Sequence, residues 1–127
     1  MYKEMIISVI LVILIFIGDF ITQKYTKDTV SSLIDEFGKL KQSLINASKE
    51  DCEIEVNEIE QKWDKAHDKL AYYIEHDELE KVETNLTSCK SLAETENYDL
   101  AISELEKTVF VLNHITDKYA FNLENIF

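Results

Sequence analysis

Hydrophobic positions divide this chain into two regimes. From Met5 to Ile17 only Ser8 interrupts an apolar, uncharged run. Beyond Asp28, apolar residues instead return at steps of three and four, the rhythm of helices that bury one face. With Tyr2 and the Gly18-Asp19-Phe20-Ile21 segment, the first stretch reaches about the 20 residues a helix needs to cross a bilayer. No small-x-small cleavage site follows it: a cut after Gly18 would put Phe16 three positions before the bond, and a cut after Thr22 would put Phe20 there. An uncleaved transmembrane anchor over residues 1–22 is therefore expected, not a removed signal peptide. Ile21 and Tyr25 keep the helical rhythm going, so the membrane helix is expected to run on as a stalk.

Val30, Leu33, Ile34, Phe37, Leu40, Leu44 and Ile45 form the stripe of the first soluble helix. Asn46-Ala47-Ser48-Lys49 reads as a turn, with Ser48 and Asp51 as a weak capping pair. Cys52, Val56, Ile59, Trp63, Ala66, Leu70 and Tyr73 then alternate by four and three, the cleanest coiled-coil-like pattern in the chain. This helix is expected to end near Ile74 to His76, and Asp77 with Glu80 to cap a third one. Its inner face would be Leu79, Val82, Leu86, Cys89 and Leu92 or Ala93. A fourth helix, burying Tyr98, Ala101 or Ile102, Leu105, Val109, Leu112 and Ile115, is expected to end near Ile115. The chain would then turn back as a tail.

An internal repeat supports this division. At an offset of 46, Glu58-Ile59-Glu60 matches Glu104-Leu105-Glu106, Cys52 matches Tyr98, and Leu33, Leu40 and Ala47 match Leu79, Leu86 and Ala93. Each unit is a helical hairpin, and two units are too few for a free-standing solenoid. The expected fold is all-α: a transmembrane helix continuing into an antiparallel four-helix bundle of two hairpins over residues 23–118, with an apolar tail, 119–127, packed on it.

Composition narrows the function. There is no Pro, and Gly18 and Gly38 are the only glycines, which favours helices. From Asp28 onward 10 Lys face 23 Asp and Glu, and no Arg occurs anywhere. The bidentate forks that read phosphate and guanine are missing, so no nucleic acid is expected as a partner. Lys3 and the terminal amine stand against Lys24 and Lys27, a nearly neutral positive-inside count. The short N-terminal flank favours a cytoplasmic N-terminus and an extracytoplasmic body in a single-pass cell-membrane protein.

Candidate chemistry is sparse. Asp64 and His67 have the spacing of half a di-metal bundle site, but the corresponding Val111-Leu112-Asn113-His114 supplies no acid. His67, His76 and His114 are read as surface or helix-end residues, His76 and His114 near helix C-termini. Cys52 and Cys89 lie 24 before and 13 after a turn at His76, about 16 Å apart along the axis, and are read as buried thiols. Glu53, Glu55, Glu58 and Glu60 read as a solvated stripe. No nucleophile signature, phosphate loop or CxxC is present. No catalytic residue, cofactor-binding residue, cofactor or metal is therefore assigned. Two features stand out as possible partner-binding elements: Asp19, an ionisable group at the end of the apolar span, and the tail side chains Phe121, Leu123, Ile126 and Phe127.

The short anchor, the acidic two-hairpin body with Trp63 facing inward, Asn113-His114-Ile115 and the ending Phe121-x-Leu-Glu-Asn-Ile126 resemble the uncharacterised family called domain of unknown function 4363. That resemblance covers nearly the whole chain and rests chiefly on the ending. It implies a source among low-GC Gram-positive bacteria, lends no catalytic residues, and implies an accessory role beside multi-pass membrane proteins. The function expected is a non-enzymatic, membrane-anchored interaction protein with an acidic extracytoplasmic domain that binds a membrane or envelope partner. The competing expectation is a metal-handling or enzymatic domain built on Asp64, His67 and nearby carboxylates.

Overall fold

The computed structural model describes the backbone of residues 1–124 and the side chains of residues 1–119. It contains four helices: α1 (Tyr2–Ile45), α2 (Lys49–Leu70), α3 (His76–Glu94) and α4 (Tyr98–Glu124). Each packs on the next, and α4 closes the ring against α1. The contact between α2 and α3 is the thinnest of the four, so the bundle consists of two tight hairpins joined mainly through α1 and α4. Short connections make sequence neighbours antiparallel. The all-α bundle expected from the periodicity is the fold observed.

α1 is uninterrupted for 44 residues. Nothing between Gly18 and Asp28 breaks it: there is no Pro, and Gly18 sits in open space. Its first half touches little, with residues 2–18 exposed, whereas Thr26, Val30, Leu33, Phe37, Leu40 and Leu44 are buried in the bundle. Ile45, expected on the inner stripe, is 55% exposed because the helix ends there. The core is the stripe of each helix: those α1 residues, Cys52 to Leu70 on α2, Leu79, Val82, Cys89 and Ala93 on α3, and Ala101, Leu105, Leu112 and Ile115 on α4.

The two hairpin loops have the same build. Ala47 and Glu96 adopt the left-handed conformation, with φ of 53° and 62°. Around Ala47 the Ser48 N–H donates to the Ser43 carbonyl at 3.0 Å and the Ala47 N–H to that of Leu44 at 3.1 Å. Asn97 to Leu92 at 2.8 Å and Glu96 to Ala93 at 3.1 Å reproduce the pattern. This paired bonding is the Schellman ending, here built without glycine. It sets the structural repeat at 49 residues rather than 46. In that register Val30 falls on Leu79, Leu33 on Val82, Leu44 on Ala93, Cys52 on Ala101, Val56 on Leu105, Trp63 on Leu112 and Ala66 on Ile115, every one buried. A slip of three residues is nearly one helical turn, so it preserves apolar against apolar and hides in the pattern.

Three other expectations are corrected. α4 does not stop near Ile115 but continues to Glu124, which puts His114 in mid-helix. α2 ends at Leu70 and α3 opens at His76 behind Glu75, so His76 sits at a helix N-terminus, and no side chain caps α3. On α4 Thr108, fully buried, takes the inner place expected of Val109, its hydroxyl satisfied by the Glu104 carbonyl at 2.9 Å. Threonine fits a helix core when it bonds its own preceding turn in this way.

Candidate functional site

The neck, where α1 leaves its apolar run and enters the bundle, gathers more unlike chemistry than any other part of the described molecule. The antiparallel order brings the α2–α3 turn and the far end of α4 to this level. The Thr26 hydroxyl donates to the Thr22 carbonyl at 2.7 Å and lies 2.6 Å from the Tyr73 hydroxyl. Tyr73 also reaches the Thr22 carbonyl at 3.3 Å. From α4, Tyr119 accepts the Glu75 N–H at 2.9 Å and meets the Tyr73 ring edge-on, with centroids 6.4 Å apart. Burial pushes the Tyr73 hydroxyl above its ordinary pKa, so it stays a neutral hydrogen-bonding group. Lys69 Nζ lies 5.4 Å from the centre of the Tyr25 ring. One turn nearer the apolar run, Asp19 accepts a hydrogen bond from Gln23 Nε2 at 3.1 Å.

Two grooves flank this cluster. One, about 320 Å³, lies between α1 and α4 and is lined by Phe20, Gln23, Lys24, Lys27, Thr116 and Tyr119. The other, about 190 Å³, is lined by Asp19, Thr22, Gln23, Thr26, Tyr73 and Tyr119. The structure thus places the sequence-derived candidate Asp19 in the neck. Phe121, Leu123 and the packing of the tail lie outside the described residues, although the helix backbone runs through 121 and 123; Ile126 and Phe127 lie wholly outside them.

Among the described residues the body carries two buried carboxylates. Glu36 accepts from Lys62 Nζ at 2.8 Å, with Lys39 at 3.6 Å. Glu78 accepts from Lys118 at 3.2 Å, with His114 Nε2 3.8 Å away. The Oε2 atom of each has no partner among the described residues. The Lys62 hydrogen bond holds the Glu36 carboxyl below its ordinary pKa of 4.5 against the opposing effect of burial. A depressed carboxylate stabilises the fold above its unfolded pKa and ceases to as pH falls through the folded value. Lys62→Met is expected to destabilise the bundle by roughly 1–2 kcal/mol at neutral pH by leaving that carboxylate short of a charged donor. As pH falls below 4.5 and through the lowered folded value, the gap in melting temperature between variant and parent should narrow. A gap that stays constant through acid unfolding would contradict the pairing.

The Asp64–His67 pair does not assemble a metal centre: among the described residues no three His, Cys, Asp or Glu side chains converge on one point. His67 Nε2 instead faces Glu83 Oε1 at 3.4 Å, and Trp63 Nε1 donates to the same oxygen at 3.4 Å. Asp64 lines a shallow groove beside Glu60 and Glu83. Cys52 and Cys89 are buried and unlinked. The turn that separates them is residues 71–75 rather than His76, which shrinks the expected axial offset. Burial pushes the Cys89 thiol up to about 12, far from a reactive thiolate.

Against this geometry stands one comparison. A family model described as a domain of unknown function (DUF4363) matches residues 20–126. The chain belongs to that family. The DUF4363 match opens at Phe20, where the apolar run ends, and takes in the neck, the whole bundle and most of the tail. Comparison with curated proteins and with solved structures found no match to either. The neck's tyrosines escaped sequence reasoning because Tyr73 sat in an apolar stripe and Tyr119 was assigned to the tail.

Proposed function

We propose that this DUF4363 chain is a single-pass membrane protein whose acidic bundle serves, without catalysis of its own, as an accessory domain for a membrane or envelope partner. The observation that carries the reading is the continuity of α1. One helix holds both a stretch apolar enough to cross a membrane and the first wall of a closed core. A run of 18 residues with none buried belongs to no core among the described residues, and a bilayer is the solvent that suits it. Continuity without a hinge holds the bundle close above the membrane, as a positioning domain requires. The N-terminus is assigned to the cytoplasm and the body to the outside.

The partner proposed is a multi-pass membrane protein, met at Asp19 and the neck. Site-specific photocrosslinkers at Phe20 and Tyr72, both exposed, test this in native membranes. A discrete membrane-protein adduct from Phe20 and none from Phe110, which is exposed in the middle of the body, is expected. Adducts only with soluble proteins, or equally from all three positions, would overturn it.

A further inference from the structure

The groove between α1 and α4 has a composition unlike the rest of this chain. Its lining holds two cations, Lys24 and Lys27, and no carboxylate, in a protein of net charge −12. Lys24 and Lys27 make no ion pair among the described residues, whereas Lys62, Lys90 and Lys118 are each tied to a carboxylate. Asp19, the acid at the end of the apolar run nearest the bundle, is bonded to Gln23 and lines the adjoining groove. Below the lysines Phe20 is 65% exposed at the last turn of the apolar run. Above it Tyr119 closes the α4 side. The same helix that carries the lysines continues into the apolar run, so the groove sits at the level where glycerol and phosphate groups of a bilayer begin.

We infer that this groove seats the headgroup of an anionic phospholipid. Lys24 and Lys27 would meet the phosphate, and Gln23 and Thr116 would offer hydrogen bonds. The acidic body repels an anionic surface, and these two unpaired cations at the neck are the groups placed to offset that repulsion. Each lysine near an anionic membrane contributes about fivefold in association, so two give a clear preference over a zwitterionic lipid.

The inference rests on the membrane-anchor reading, and one experiment separates the two. The full chain is reconstituted in liposomes of equal phosphatidylglycerol and phosphatidylcholine, floated, extracted in mild detergent and weighed by native mass spectrometry. Retained phosphatidylglycerol is expected to exceed phosphatidylcholine by at least about fivefold. K24Q/K27Q should abolish that excess, and K81Q, on α3, should leave it unchanged. Wild-type chain that floats but retains both lipids equally, or a double variant that keeps the excess, overturns the lipid site alone. Chain that does not float overturns the anchor and the lipid site with it.

Discussion

Trp63→Ala is expected to lower the unfolding free energy of the bundle by about 3–5 kcal/mol. Trp63 is only 3% exposed, on the α2 face that lies in the core with Ile59 and Ala66. The indole ring has two neighbours that specify its pose: His67, edge-on with centroids 5.9 Å apart, and the Glu83 carboxylate at 3.4 Å. Both belong to the thin seam between α2 and α3. Removing the ring there leaves a cavity that the backbone closes only by pulling two helices out of their contacts with α1 and α4. A fall of more than about 10 °C in melting temperature should follow. Trp63→Phe, which forfeits the long hydrogen bond and part of the ring, should cost much less. Near-parental melting of the alanine variant would contradict the assigned face of α2.

The second large effect concerns the anchor. The eleven Ile, Leu, Val and Phe residues between Met5 and Ile17 favour insertion by roughly 0.3–0.6 kcal/mol each, a few kcal/mol in all. Ile10→Arg with Leu14→Arg costs roughly 5–7 kcal/mol at the middle of that run, enough to cancel the gain. The double variant should be lost from alkaline-washed membranes while its bundle keeps the parental helical content and near-parental melting, because residues 2–18 are exposed and stand clear of the core. Undiminished membrane retention would contradict the spanning role. Collapse of the bundle would instead mark the run as part of a core.

How much of this was legible in the sequence follows from what periodicity can encode. The stripes Val30 to Leu44 and Cys52 to Leu70 are readable because each burial step is a whole number of near-turns, and the core takes every one of them but Ile34, which is half-buried against it. The loops around Ala47 and Glu96 were located but not explained. Their Schellman endings use Ala and Glu in place of the glycine that announces such a turn. The repeat was seen one turn out of register because alignment rewards apolar identity and is blind to φ. The end of α4 is misplaced for a related reason: the expected inner stripe closes at Ile115, yet the helix runs on, with Lys118 joined to Glu78 and Tyr119 holding the neck. Of the neck itself, Asp19 was legible as a charge beside an apolar run. The Thr26–Tyr73–Tyr119 cluster was not, because it joins three elements distant in sequence and depends on which end of each helix meets which.

The central claim is that the N-terminal part of α1 stays on the mature chain as its hold on the membrane. It is tested most directly by the N-terminal sequence of the chain recovered from alkaline-washed membranes. A sequence beginning upstream of Met5, with the apolar run intact, is the result expected. A sequence beginning at Asp19 or Gln23 would contradict it.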